Sequence, residues 1–229
     1  MSVEQEFSRF AAEYGHYNMI QQKVAQRLIE KSCLSKPKTV LDLGCGRGAI
    51  YSLIDWELDS FCGIDFSQGM LDLHPNNKNV ELCLGDFDNP ALYEFLRSKS
   101  FEHIYSASAL QWAKDLKNVF GHIKSLAVPT SLAIFTSGTF KTLHETGNIT
   151  PVLRSADEVI ALANECWKNS HIEKIEYRLD FKSVNEMFRY IKRSGVSGGE
   201  KRLDYRSTKQ LMNDYPLDYL EFEVVFIYS

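Results

Sequence analysis

The sequence predicts an α/β fold in which helices cover both faces of a seven-stranded, mostly parallel sheet. Short apolar runs rich in β-branched residues alternate with segments of helical periodicity as far as Thr136, and this alternation is typical of βαβ units. Two later strand-like runs bring the expected strand number from five to seven. Because no Pro- or Ser-rich linker divides residues 1–229, we expect a single domain.

The expected elements follow from local periodicity and from the turn residues that separate them. The expected strands are Lys38–Leu43, Ser60–Ile64, Asn79–Leu84, Phe101–Ser106, Ser131–Thr136, Ile172–Phe181 and Tyr219–Tyr228. The expected helices are Gln5–Tyr14, Met19–Cys33, a short one after Gly48, then 67–72, 90–98, 115–126, 155–168 and Asn185–Ser194.

Composition excludes several classes of protein. Hydrophobic residues make up 44% and charged residues 24% of the chain, which is too much apolar mass for a disordered protein. The sequence contains no run of 18 uncharged apolar residues, so we expect no membrane-spanning helix. The first ten residues lack the pattern of a signal peptide, and we therefore expect a cytoplasmic protein. Five cysteines without a C-x-x-C pair indicate reduced thiols rather than a zinc site or disulfides, and we expect no metal.

Charge is distributed unevenly along the chain. The net charge is −4, which does not favour a globally basic nucleic-acid binder. The range from Arg189 to Lys209, here called the basic segment, carries seven basic residues against two acidic ones. Its local charge is therefore +5, which leaves −9 for the remainder. Such a patch could steer an acidic partner, although a plain solvated surface is the commoner explanation.

The most specific feature is a glycine loop between the first predicted strand and the helix after it. Gly44, Gly46 and Gly48 alternate there, so the backbone can turn tightly and approach a ligand closely. Asp42 lies at the end of the strand, where a carboxylate is unusual unless it has a functional role. The loop lacks the G-x-G-x-x-G spacing that seats a pyrophosphate, and Asp42 would repel one. A cofactor with an ammonium group and no phosphate suits this loop better.

Acidic residues also end the next two predicted strands. Asp65 follows Asp42 by 23 residues and could accept hydrogen bonds from ribose hydroxyls. Asp86 precedes Phe87, and a carboxylate beside an aromatic ring could flank an adenine. Because the carboxyl ends of parallel strands share one sheet edge, these side chains together predict a nucleoside pocket.

The pattern D-x-G-C-G-x-G from Asp42 to Gly48 resembles motif one of class I S-adenosylmethionine (SAM)-dependent methyltransferases. The resemblance implies their Rossmann-like fold with an antiparallel last strand, and SAM as cofactor with S-adenosylhomocysteine (SAH) as product. It also implies a helical lid (1–35), a SAM-binding core (36–137) and substrate-side helices with closing strands (138–229). The cofactor-binding residues that it implies are Asp42, Gly44 and Gly46 for the methionine moiety, Asp65 for the ribose, Asp86 and Phe87 for the adenine, and Cys45, Phe66, Met70 and Ser106 around them.

Further segments resemble the BioC family, the malonyl-acyl-carrier-protein O-methyltransferases of biotin synthesis. These segments are Phe7–Tyr14 followed by Gln21, Asp65–Leu71, Phe101–Trp112, Ile134–Glu145 and Phe222–Ile227. The resemblance implies methylation of the free carboxylate of malonyl-acyl carrier protein or malonyl-CoA. Trans-aconitate methyltransferases share part of these patterns, so another small carboxylic acid stays open as the substrate. Two functions of different classes also stay open, namely a SAM-binding module without catalysis and an RNA methyltransferase.

The expected chemistry needs no general base, because a carboxylate is already a nucleophile and alignment with desolvation supplies the rate. We expect Tyr14, Gln111 and Trp112 to act at the reacting end, although packing roles are about as common for such residues. Arg154 and Arg193 are candidates for the cation that fixes the substrate carboxylate. The resemblance implies acyl carrier protein as a partner, and its acidic surface could dock on the basic segment. The sequence itself predicts no membrane partner, and its net charge disfavours nucleic acid.

Overall fold

The computed structural model describes residues 18–32, 36–193 and 205–229. One seven-stranded sheet organises them, in the spatial order β3-β2-β1-β4-β5-β7-β6. Its strands are β1 (Thr39–Leu43), β2 (Ser60–Asp65), β3 (Val80–Leu84), β4 (His103–Ala107), β5 (Thr130–Phe135), β6 (His171–Asp180) and β7 (Tyr219–Tyr228). The first five run parallel, while β7 is antiparallel to both β5 and β6. This architecture confirms the predicted α/β fold with an antiparallel last strand.

Helices connect the strands and cover the sheet. Their bounds are α1 (Met19–Ser32), α2 (Ala49–Leu53), α3 (Gln68–Leu71), α4 (Pro90–Arg97), α5 (Leu116–Ser125), α6 (Lys141–Gly147), α7 (Ala156–Cys166), α8 (Val184–Arg193) and α9 (Tyr205–Asp214), with a 3-10 turn at Leu110–Trp112. No described helix is long and apolar enough to cross a membrane.

Two apolar cores lie on opposite faces of the sheet, because side chains alternate between the faces along each strand. Val40 of β1 packs with α1, α8 and α9 on one face. Leu41 and Leu43 pack with α4, α5 and α7 on the other face. The even-numbered residues of β1, including Asp42, therefore point toward the face that α1 covers.

The sheet order reverses between β1 and β4. From β1 the chain proceeds outward through β2 and β3, and it then returns to place β4 on the other side of β1. The loops after β1 and β4 consequently diverge and leave a crevice at the carboxyl edge of the sheet. Open α/β sheets bind their ligands at this kind of switch point.

Helices α6 and α9 were not predicted from the sequence. Each buries little apolar surface. In α6 the buried side chain is Leu143, and in the described part of α9 it is Leu211. Neither segment therefore shows a strong apolar stripe. The expected helix Gln5–Tyr14, and with it Tyr14, lies outside the described residues, as do Cys33 and the loop at Gly198 and Gly199.

Candidate active site

A cavity of about 460 Å³ lies at the switch point. One wall is the loop that connects β1 to α2, and the other walls are the exits of β2 and β4 and the first half of α1. The residues that line it are Asn18, Gln21, Gln22, Ala25, Gln26, Gly44–Ala49, Ser52, Leu53, Asp65, Phe66, Met70, Phe87, Ala107–Ala109 and Trp112. The predicted glycine loop therefore forms one wall of the cavity.

The three glycines of that loop adopt left-handed backbone conformations. The φ angles of Gly44, Gly46 and Gly48 are 75°, 52° and 81°, a region that L side chains disfavour. A Cβ on Gly44 would lie 2.2 Å from the Cβ of Ala109, so the loops after β1 and β4 can touch only where a side chain is missing. A Cβ on Gly46 would meet no atom within 4 Å. Gly46 is therefore required by its backbone conformation rather than by crowding.

Asp65 holds the glycine loop in place. Its Oδ2 accepts a hydrogen bond from the N–H of Gly46 and its Oδ1 one from the N–H of Ser67, both at 2.9 Å. Burial raises the pKa of this carboxyl, and the backbone N–H donors partly offset that effect. The same side chain lines the cavity, so Asp65 joins the two loops and presents a negative edge to a ligand.

Asp42 lies beneath the cavity without being one of its lining residues. The residue is 1% exposed, and neither carboxylate oxygen has a hydrogen-bond partner. Burial, together with the charge of Asp65, raises the pKa of Asp42 well above its usual value. A buried carboxylate without donors favours the neutral form unless a cation approaches it.

Part of the cavity lining is apolar. Phe66, Met70 and Phe87 belong to this part, together with Cys45 of the glycine loop. Burial raises the pKa of the Cys45 thiol, which stays protonated and acts as a small apolar group. Trp112 adds an aromatic wall from the turn after β4. Such a surface suits a flat ring such as a nucleobase.

Four residues predicted for the site are not among those that line the cavity: Asp42, Asp86, Ser106 and Gln111. Ser106 is fully buried, and its hydroxyl donates to the carbonyl of Leu43 at 2.6 Å, which ties β4 to β1. Asp86 is exposed, and its carboxylate accepts from the N–H of Asp88 in a turn. The amide of Gln111 donates to the carbonyl of Ser108 at 2.7 Å. Gln111 therefore supports a wall residue from behind.

Several wall residues were absent from the sequence-based site. Gln21 is 7% exposed, and its side-chain oxygen has no partner; the side-chain oxygens of Asn18 and Ser108 are likewise buried and unpaired. Ser108 also has a left-handed backbone with a φ of 61°. Arg47 lies within the glycine loop. Only the glycine motif could have suggested Arg47. Asn18 and Gln21 could not be predicted, because nothing in the sequence shows that α1 folds over the crevice.

Helix α1 owes its position to both apolar and polar contacts. Ile20, Val24 and Leu28 are fully buried against the sheet. Arg27 donates to Glu173 of β6 at 2.5 Å. These contacts hold the first turns of α1, which carry Gln21, over the glycine loop.

Of the two candidate substrate cations, the structure describes the side chain of Arg154 alone. Arg154 donates to the carbonyls of Ala113 and Lys114 and pairs with Glu158, and it does not line the cavity. The side chain of Arg193 lies outside the described part of the chain. Among the described residues, no cluster of three or more His, Cys, Asp or Glu side chains could hold a metal ion.

Comparison with known families settles the class of the chain. Residues 34–196 match the family described as a methyltransferase domain. The chain belongs to this methyltransferase family. Among solved structures, this methyltransferase domain is similar to the Haloferax volcanii methyltransferase solved with its activator Trm112, with a TM-score of 0.61 and 17% identity over 99% of this chain and 97% of that one. That likeness shows the fold.

Curated relatives of the methyltransferase domain include malonyl-[acyl-carrier protein] O-methyltransferases. The relative from Halalkalibacterium halodurans is 26% identical over 63% of this chain and 58% of its own length. The one from Acinetobacter baylyi is 22% identical over 96% of this chain and 88% of its own length. The mouse 18S rRNA (guanine-N(7))-methyltransferase is 36% identical over 41% of this chain and 33% of its own length. The chain spans 58% of the length of the Halalkalibacterium halodurans relative and 52% of the length of a further malonyl relative from Methylovorus sp..

Proposed function

We propose that this methyltransferase domain uses SAM to methylate the free carboxylate of a malonyl group on acyl carrier protein or CoA, in the cytoplasm and at an early step of biotin synthesis. The observation that carries the proposal is the cavity at the switch point. Its lining combines the left-handed glycine loop with Asp65 and the apolar side chains of Phe66, Met70 and Phe87. The names of the curated relatives support the choice of substrate.

The cavity fits SAM in its chemistry. Its volume of about 460 Å³ lies within the range of small-molecule sites. The apolar side chains of Phe66, Met70 and Phe87 suit the adenine, and the carboxylate of Asp65 suits the ribose hydroxyls. The buried, unpaired carboxylate of Asp42 would gain a counter-charge from an ammonium bound above it. When bound, SAM supplies a methyl group on a positively charged sulfur.

The proposed reaction requires the protein to position its substrate rather than to transfer a proton. A malonyl carboxylate is ionised at neutral pH, so no side chain must remove a proton from it. The chain instead has to align the carboxylate oxygen and exclude water. Trp112 and Ser108, supported by Gln111, line the side of the cavity that β4 provides. Tyr14 stays a prediction for the same end.

A methyl-transfer assay tests the proposal. Purified protein is incubated with SAM labelled in the methyl group and with malonyl-acyl carrier protein, and the base-labile methyl ester is counted. The matched control is acetyl-acyl carrier protein, which has the same carrier and arm but no free carboxylate. We expect label on the malonyl form alone. Label on trans-aconitate, with none on the malonyl thioester, would contradict the proposed substrate.

The basic segment is the proposed docking site for acyl carrier protein. Its described cations, Arg189 on α8 and Arg206 and Lys209 on α9, are exposed. Electrostatic steering acts mainly on encounter and weakens with salt. We expect Arg206→Glu with Lys209→Glu to raise KM for malonyl-acyl carrier protein and to leave KM for malonyl-CoA unchanged. The control pair Lys117→Glu with Lys124→Glu, on α5, should change neither value.

Methylation of an RNA base is the second candidate, because the mouse 18S rRNA enzyme is the most identical of the relatives above over its shorter match. The same assay with total ribosomal RNA separates the two. Transfer to RNA with none to the malonyl thioester would favour the second candidate.

A further inference from the structure

The glycine loop uses its own backbone N–H groups internally. The N–H groups of Gly44 and Cys45 both donate to the carbonyl of Ile64, at 2.7 and 2.9 Å. The N–H of Gly46 donates to Asp65, and that of Gly48 donates to the carbonyl of Cys45 at 2.9 Å. These four donors are therefore unavailable to a bound anion. A negative group on a ligand therefore cannot be bound by the backbone N–H groups of Gly44, Cys45, Gly46 or Gly48, and a side chain is the stronger partner left on this loop.

The charged side chains on the described wall are few. Arg47 is the basic one and Asp65 the acidic one among the lining residues. A ligand carboxylate placed beside Asp65 would be repelled by the charge of that side chain. The guanidinium of an arginine offers a planar fork of donors that matches a carboxylate and keeps its charge at any working pH. Arg47 is therefore the group on this wall that can bind a carboxylate strongly.

The position of Arg47 in the loop indicates which carboxylate of a ligand it binds. It lies between Gly46 and Gly48, and at Gly46 the loop opens onto empty space, since a Cβ there would meet nothing within 4 Å. We propose that Arg47 binds the α-carboxylate of the methionine moiety of SAM. This inference rests on the proposed function, which places that moiety against the glycine loop. The acidic side chains beside and beneath the loop then face the ammonium, and Arg47 faces the carboxylate, so the zwitterionic tail has a partner for each charge.

Ligand truncation tests this assignment without any turnover. Isothermal titration calorimetry measures the affinity of wild type, Arg47→Ala and Arg47→Lys for SAH and for its decarboxylated counterpart, S-adenosyl-3-thiopropylamine. We expect Arg47→Ala to weaken SAH binding about 10- to 100-fold, as for a lost charged hydrogen bond. The decarboxylated ligand should bind both proteins within about twofold. Arg47→Lys should recover part of the SAH affinity, because it keeps the charge and loses the fork.

Arg97→Ala is the matched control, since Arg97 is exposed at the end of α4 and donates to Ser125 away from the cavity. It should change neither affinity. An equal loss for both ligands in Arg47→Ala would overturn the inference and leave Arg47 with a structural role. Unchanged SAH affinity with a raised KM for the malonyl substrate would also overturn it. Absence of SAH binding to wild type would overturn the proposed function together with the inference, so the two failures are distinguishable.

Discussion

Asp42→Asn should stabilise the protein at neutral and alkaline pH and leave its stability nearly unchanged near pH 4. The carboxylate is buried and unpaired, and its pKa is raised by burial and by the charge of Asp65 above the ordinary 3.8. Above about pH 4 the unfolded chain therefore releases a proton that the native state retains. Wild-type stability accordingly falls as pH rises, until the folded pKa is passed. Asparagine keeps the shape of the side chain and removes this titration.

The size of the stability difference follows from the linkage between proton binding and folding. One proton retained by the native state costs about 1.4 kcal/mol for each pH unit. The native state bears this cost over the whole interval between the ordinary pKa and its own raised pKa. We therefore expect Asp42→Asn to raise the free energy of unfolding at pH 8, relative to its effect at pH 4, by about 1.4 kcal/mol or more.

Urea unfolding followed by circular dichroism, at several pH values between 4 and 8 and without cofactor, measures this difference. Asp59→Asn is the control, because it makes the same chemical change at an exposed position. A difference between wild type and Asp42→Asn that does not vary with pH would refute the reasoning. A variant less stable than wild type at pH 8 would show that a donor already satisfies the ionised carboxylate.

Three further predictions concern the same site. Gly44→Ala should lower Tm strongly, because its Cβ would lie 2.2 Å from that of Ala109. Gly46→Ala should lower Tm less and should weaken SAH binding, because its methyl group would enter the cavity. Equal Tm values for the two variants would contradict the loop geometry. Ser106→Ala should cost about 1 kcal/mol in urea unfolding through the lost bond to Leu43, with SAH affinity unchanged, and a large loss of affinity would mean that the hydroxyl contacts the cofactor. Asp65→Asn should weaken SAH binding and lower Tm, since an amide NH₂ would face the N–H of Gly46 or Ser67; unchanged affinity by calorimetry would remove Asp65 from the ribose site.

Local sequence patterns predicted most of the sheet. The run from Thr39 to Leu43 is apolar and β-branched, and a glycine ends it, so strand and loop are both visible locally. The closing strand Tyr219–Tyr228 was likewise visible. Helix α9 was missed because its polar sequence carries few apolar residues, and sequence reasoning included part of it in the basic segment.

The site was predictable only where a motif forms it. The glycine loop and Asp65 follow from strand-end spacing, because parallel strands bring their ends to one edge. Gln21 and Ser108 could not be found in this way, since one depends on the packing of α1 over the crevice and the other on a left-handed turn. Ser106 stays a prediction for the site; its hydroxyl donates to the neighbouring strand β1, a contact that a polar residue at a strand end makes without any ligand.

The central claim is that the cavity at the switch point is the site of SAM. Calorimetric titration of the purified protein with SAH tests it most directly, with NAD as the comparison ligand because it carries a pyrophosphate. The account predicts binding of one SAH per chain, abolished by Asp65→Ala, and no binding of NAD. Binding of NAD, or SAH binding that survives Asp65→Ala undiminished, would contradict it.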